Sequence, residues 1–111
     1  MVPDALSRIF AALADPTRRD MVARLTTSDA TVTELAAPYD VSLQAVSKHL
    51  KVLERAGLIV RGRSAQLRPS RLQGDAFKQA ADWLAGYRPF WEDSFDRLDE
   101  HLHAIQEDAR P

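Results

Sequence analysis

Apolar residues along the first part of the chain recur with a helical period, broken by turn signals, and the period then changes once to that of a strand. Leu6, Ile9, Phe10 and Leu13 share one face of a helix expected from about Asp4 to Leu13. Asp15–Pro16 restarts the pattern: an acid to cap free amides, then a proline at the first helical position, where its missing N–H is not needed. Met21, Val22 and Leu25 point inward from this second helix, and Thr26 to Asp29 ends it. A short helix follows, with Thr33 as its expected cap and Glu34 to Ala37 inside it, until Pro38-Tyr39-Asp40 breaks it. Val41 is expected to plug the turn. Ser42 then caps a longer helix, Leu43 to Ala56, whose buried stripe is Val46, Leu50 and Leu53 with Leu43 at its head, and Gly57 supplies the stop.

After Gly57, Leu58 to Arg61 reads as a strand, Gly62-Arg63-Ser64 as a tight turn and Ala65 to Arg68 as the returning strand. Pro69 is confined to an edge or a strand end, because it cannot donate to a ladder. From Leu72 to about Glu107 the pattern is helical again, and Pro89 inside it is expected to kink or divide the helix. The order predicts a mainly α fold with a small two-stranded β-wing, a winged helix-turn-helix in a single domain. Residues 4–71 would form the DNA-binding core, with the wing at about 58–69, and residues 72–108 the C-terminal dimerisation helices.

Composition narrows the class. The 111 residues are 45% hydrophobic and 28% charged, ordinary for one soluble domain. The absence of cysteine excludes disulfides, thiolate metal sites and a cysteine nucleophile. No apolar run approaches 20 residues and no basic-then-apolar leader is visible, so the expected location is the cytoplasm.

The net charge of −1 conceals a strong asymmetry. From Ser42 to Arg71, Lys48, Lys51, Arg55, Arg61, Arg63, Arg68 and Arg71 are opposed by Glu54 alone. From Glu92 to Asp108, seven acids are opposed by Arg97 alone. A basic middle joined to an acidic tail is an electrostatic footprint for a polyanion on one face, although charges sorted by chance on a solvated surface would look the same. In a helix-turn-helix the second helix enters the major groove. The candidate base-facing residues are therefore Leu43, Gln44, Ser47 and Lys48: glutamine reads adenine, serine several bases, lysine guanine, and leucine touches a thymine methyl. Candidates for the phosphate backbone are Arg18, Thr33, Ser42, His49 and Lys51 around the motif, and Arg61, Arg63 and Arg68 on the wing. Arg19 is a further possibility, and for Arg18 a salt bridge inside the fold is an equal alternative.

Leu84, Trp91, Leu98 and Ile105 recur every seven residues, with Tyr87, Phe95 and Leu102 between them, the pattern of an a/d seam. A single small domain has no use for so much apolar face, which points to a homodimer. Trp83, Tyr87, Phe90, Trp91 and Phe95 could also line a ligand pocket, and a pocket at a dimer seam would reconcile the two. An enzyme is disfavoured: no nucleophile, base or metal constellation is recognisable, and Gly57, Gly62, Gly74 and Gly86 are isolated. A winged helix that binds protein instead of DNA remains a third class, argued against by the lysine-bearing face.

Three stretches carry a resemblance to a known family: ALADPTRRDMVARL (Ala12 to Leu25), TVTELA (Thr31 to Ala36) and VSLQAVSKHLKVLERAGLIVRGR (Val41 to Arg63). They resemble the ArsR/SmtB family of bacterial regulators, over nearly the whole chain. The tail DWLAGYRPFWEDSFDRLDEHL (Asp82 to Leu102) is similar to that of the metal-independent, cysteine-independent members often encoded beside SRPBCC-domain proteins. Those members carry Q-W-R-P-C-R where this chain has Gln66-Leu67-Arg68-Pro69-Ser70-Arg71, so sensing through that Trp or Cys is not expected here. The resemblance implies a repressor that binds double-stranded DNA as a homodimer. Its interface would lie on the first and last helices, with Leu6, Phe10, Leu84, Tyr87, Trp91, Phe95, Leu98 and Leu102 as candidates. Of the family's metal sites, the cysteine site has no counterpart. The Asp-x-His site is matched only by Asp99-Glu100-His101, and His103 lacks the second spacing. No metal or other cofactor is expected, with a metal-responsive repressor using His101 and His103 as the alternative. No small-molecule effector is identifiable.

Overall fold

A computed structural model describes residues 4–62 and 69–108. Helices α1 (Ala5–Leu13), α2 (Pro16–Leu25), α3 (Val32–Ala36) and α4 (Leu43–Arg55) precede strands β1 (Ile59–Arg61) and β2 (Ser70–Leu72), and helices α5 (Gly74–Ala85) and α6 (Arg88–Asp108) follow. Local chemistry sets most of these bounds. Asp4 caps α1 by accepting from the Ser7 amide at 2.7 Å, and Asp15 caps α2 by accepting from Thr17 and Arg18 at 2.8 and 3.1 Å. Gly57 closes α4 with φ +76°, the left-handed region that a Cβ penalises. Its amide donates to the Glu54 carbonyl and that of Leu58 to the Leu53 carbonyl, both at 3.0 Å, the paired bonds of a Schellman end.

Three details depart from the sequence pattern. The cap of α3 is Thr31, not Thr33: Thr31 and Glu34 form a reciprocal capping box, which requires a spacing of three. Val41 and Leu43 were expected to be buried, yet they are 50% and 52% exposed. Burial on α4 begins one turn of helix further on, at Val46, which is fully buried in the core. The third detail is the strand pairing: Ser70–Leu72 forms a returning strand, although Leu72 reads as the start of the tail helix. It runs antiparallel to β1 with Ile59 opposite Leu72, Val60 opposite Arg71 and Arg61 opposite Ser70. A non-local bond fixes this register, because Ser70 also exchanges backbone hydrogen bonds of 2.7 and 3.2 Å with Ala30 on its other side. Pro69 precedes the strand and offers only its carbonyl, to the Gly62 amide at 2.8 Å. The expected turn at Gly62-Arg63-Ser64 and strand at Ala65 to Arg68 fall on 63–68, outside the described residues.

The chain forms two compact units, residues up to Ala80 and residues from Ala81 onward. The core of the first is Ile9, Ala12, Met21, Leu25, Leu35, Ala36, Val46, Leu50, Leu53, Leu58, Ile59, Ala76 and Ala80. Helical spacing of 3.6 residues puts Val46, Leu50 and Leu53 on one side of α4, as the pattern requires. The alanines of α5 let its first turns approach closely. In the second unit the tail is divided at Gly86–Tyr87, and Pro89 lies in the first turn of α6. In an unbroken helix Pro89 would have no amide for the Ala85 carbonyl and its ring would crowd it, which disfavours a straight helix through this point and fits the division seen here. The rings of Trp83 and Tyr87 meet across the break at a tilt of 58°, with centroids 5.0 Å apart. No residue of α6 is buried among the described residues. No helix among them is long and apolar enough to cross a membrane.

Candidate nucleic-acid interface

The site is built on α3, the turn after it and α4. Helix α3 has only five residues, too short to persist alone, so tertiary bonds must hold it. Arg24 of α2 does this. Its Nη1 donates to the Leu35 carbonyl at 2.7 Å and its Nη2 to the Glu34 carbonyl at 2.9 Å, closing the carboxyl end of α3. The same guanidinium lies 5.7 Å from the Tyr39 ring centroid, and the Tyr39 hydroxyl donates to Asp20. Helix α2 thus grips both α3 and the turn. Sequence reasoning missed Arg24, Asp20 and Tyr39, because a carbonyl-capping arginine has no local signature.

Ser42 caps α4 by accepting from the Ala45 amide at 3.1 Å, which orients the helix outward from the turn. Opposite the buried stripe, Gln44, Lys48 and Lys51 are exposed, Ser47 is half-buried beside them, and Leu43 is exposed at the leading end. The four candidate base-facing residues therefore lie together on the first turns of one exposed helical surface. Thr33 is exposed on α3.

Arg18 is turned elsewhere. Its Nε donates to the Ala12 carbonyl at 2.7 Å and its Nη2 to the Ala11 carbonyl at 3.2 Å, closing the end of α1. Its Nη1 donates to Nδ1 of His49 on α4 at 3.3 Å. At α1 its guanidinium is met by carbonyl oxygens and not by a carboxylate. Arg19 similarly donates to the Leu13 carbonyl at 2.7 Å. The Arg18 amide, then that of Thr17 and the neighbouring charge of Arg18, hold the Asp15 carboxyl below its ordinary value near 3.8.

On the wing, Arg61 is half-buried and its Nε is buried without a partner. Arg71, not singled out in the sequence, pairs with Asp29 at 3.4 Å, both largely exposed. A hollow of about 200 Å³ is lined by Asp29, Val60, Arg61, Gly62, Pro69 and Arg71. Arg63 and Arg68 lie outside the described residues. A second cleft, about 190 Å³, runs between α1 and the end of α4, with Arg8 and Arg55 flanking Ala11, Val52 and Ala56. Among the described residues no three His, Asp or Glu side chains converge to hold a metal ion.

The residues expected at a dimer seam fall in both units. Leu6 and Phe10 of α1 are half-buried. In the second unit Leu84, Tyr87, Phe95, Leu98 and Leu102 are exposed and Trp91 is half-buried; Phe90, at 76%, is the most exposed of the large apolar side chains described.

Comparison with known proteins agrees with this geometry. A helix-turn-helix domain family matches residues 13–62, which run from the end of α1 to the wing. The transcriptional repressor SdpR of Bacillus subtilis is 27% identical over 82 residues, 74% of this chain and 91% of its own. Among solved structures, an ArsR family transcriptional regulator superposes with a TM-score of 0.75 at 39% identity, covering 80% of this chain and 98% of that one. The homodimeric winged helix-turn-helix DNA-binding domain Mb0332 of Mycobacterium bovis shares the fold, with a TM-score of 0.60 at 21% identity over 85% of this chain and 84% of that one.

Proposed function

The chain belongs to the ArsR family of transcriptional regulators, and from that premise we propose that this DNA-binding regulator is a repressor that sits on a pseudo-palindromic operator as a homodimer and blocks polymerase by occupancy. The observation that carries the reading is the exposed polar surface of α4, where Gln44, Ser47 and Lys48 follow Leu43 directly behind a serine cap. These four residues read bases. Thr33, Ser42, His49 and Lys51, with Arg61, Arg63 and Arg68 of the wing, hold the phosphates on either side. Arg18 acts on the backbone through His49.

The dimer forms through α1 and the tail, using Leu6 and Phe10 together with Leu84, Tyr87, Trp91, Phe95, Leu98 and Leu102. The unburied apolar stripe of α6 supports this, as does likeness to a domain that is itself homodimeric. Two-fold symmetry then sets two copies of α4 about one DNA turn apart. The tail from Asp82 to Leu102 supports reading the chain as a cysteine-independent member of its family, working in the cytoplasm without a metal.

Fluorescence anisotropy against duplex from the chain's own promoter tests the proposal, with random duplex, a salt titration, and zinc or a chelator as further arms. Salt-sensitive binding that favours the promoter and ignores zinc is the expected result. Equal affinity for promoter and random duplex at every salt concentration would remove the operator-reading role, and a zinc-dependent loss of binding would establish metal sensing.

A further inference from the structure

We propose that Arg18 is a positioning residue for DNA binding, holding His49 in the tautomer whose Nε2–H is presented as a donor to a backbone phosphate. The inference rests on the DNA-binding reading above and adds to it the protonation state of one ring and the residue that sets it.

A guanidinium has donors and no acceptor. The 3.3 Å contact between Arg18 Nη1 and His49 Nδ1 is therefore a hydrogen bond only if Nδ1 accepts, which places the proton of the neutral ring on Nε2. Arg18 cannot easily yield that geometry. Its other nitrogens are engaged by the Ala12 and Ala11 carbonyls at the negative end of α1, and its own amide is fixed by Asp15. The α1–α2 corner thus reaches across to α4 and orients one side chain there.

His49 stands on the shoulder of α4. At about 100° per residue it lies beyond Lys48, next to the buried stripe and on the side of α4 away from Leu43 and Ser47, so it is not one of the base-reading residues. That is where a helix lying in the major groove meets the phosphate walls. His49 is half-buried, so part of its side chain reaches solvent, while Nδ1 is taken by Arg18. An outward N–H with a fixed direction is what a phosphate oxygen can accept from; a ring with its proton on Nδ1 would present a lone pair and repel it.

The test uses the full chain and a spectroscopic reading that packing alone would not move. Long-range proton–nitrogen correlation at pH 8 reports the tautomer of His49 in the free protein, and the Nε2–H form is expected. His49→Gln, whose amide reaches the Nε2 position, is expected to bind duplex within about twofold of the parent. His49→Asn, which mimics the Nδ1 position, is expected to lose about tenfold on operator and random duplex alike. Arg18→Met is expected to mix the tautomers and to add no further loss in combination with His49→Asn. If Arg18→Met does not fold, the parent tautomer and the Gln–Asn pair decide alone. An Nδ1–H tautomer in the parent, or equal binding by the Asn and Gln variants, overturns the proposal while leaving DNA binding in place. A parent without salt-sensitive affinity for any duplex overturns both.

Discussion

Arg61 and Ser70 face each other across the wing ladder, and each carries a buried side-chain polar atom without a hydrogen-bond partner, Nε of Arg61 and Oγ of Ser70. Buried polar atoms are satisfied in most structures, so two on directly paired residues mark a local weakness. Ser70 is fully buried, with Arg61 opposite it on β1 and both its backbone groups bonded to Ala30, so its hydroxyl has no path to solvent. Ser70→Ala is expected to leave stability unchanged or to raise it by about 1 kcal/mol, because it removes a desolvated group that makes no bond. Urea melts of the two proteins decide, and a loss beyond about 1 kcal/mol would mean that the hydroxyl is bonded in solution.

Gly57 makes the opposite case, a residue whose replacement is costly. Space is not the obstacle, since an added Cβ would meet only the Ala76 Cβ at 3.9 Å. The φ of +76° is, and Gly57→Ala is expected to cost about 1–2 kcal/mol in a denaturant titration. An unchanged midpoint would show that the α4 end is not left-handed.

Asp4, Asp15 and Glu34 all cap helices, and all three carboxyls lie below their ordinary values, chiefly through the backbone amides of Ser7, Arg18 and Thr31 respectively. Their ionised forms are favoured in the folded chain. Their stabilisation is complete above the unfolded values of about 4 and is lost as pH falls through the lower folded values. Circular dichroism between pH 7 and pH 2 is expected to show stability declining from about pH 4 downward. Asp15→Asn should flatten part of that decline, and an identical slope in the variant would take Asp15 out of the account.

Gln44 and Lys51 lie on the same surface of α4 with different expected duties. Gln44→Ala is expected to cost about 1–3 kcal/mol on the true operator and less on random duplex. Lys51→Ala is expected to weaken binding to all sequences alike and to lower the salt slope by about one. Anisotropy titrations at several salt concentrations separate the two, and matching profiles would erase the division between base and phosphate contact.

Leu98 is 52% exposed in the single chain, on the stripe assigned to the seam. Leu98→Glu is expected to shift the protein to monomer at micromolar concentration, since symmetry removes two buried leucines at about 2 kcal/mol each. Sedimentation equilibrium reads the outcome, and a variant that remains dimeric would move Leu98 out of the interface.

What could be read in advance divides by range. Asp4, Asp15, Ser42 and Gly57 announce themselves because a cap or a stop is decided by neighbours within a few residues. Thr31 was equally readable through its spacing to Glu34, and the choice of Thr33 overlooked it. The place of β2 was not readable, because the partner that fixes Ser70 is Ala30, 40 positions earlier. The grip of Arg24 on α3, and the turn of Arg18 toward α1 and His49, are tertiary in the same sense. Leu43 shows a different limit. A helical pattern locates an apolar face without saying where that face ends, and Leu43 stands beyond the edge, exposed on the side proposed to meet DNA.

Every buried apolar side chain of the described core lies at or before Ala80. The head is in that sense a cassette: a mutation or recombination within α6 leaves its interior untouched. On the assignments proposed above, the operator-reading surface lies on α4 and most of the pairing surface on the tail, with Leu6 and Phe10 of α1 the part that belongs to the head. If those assignments hold, changes in α6 would alter pairing preference without touching the surface that meets the promoter.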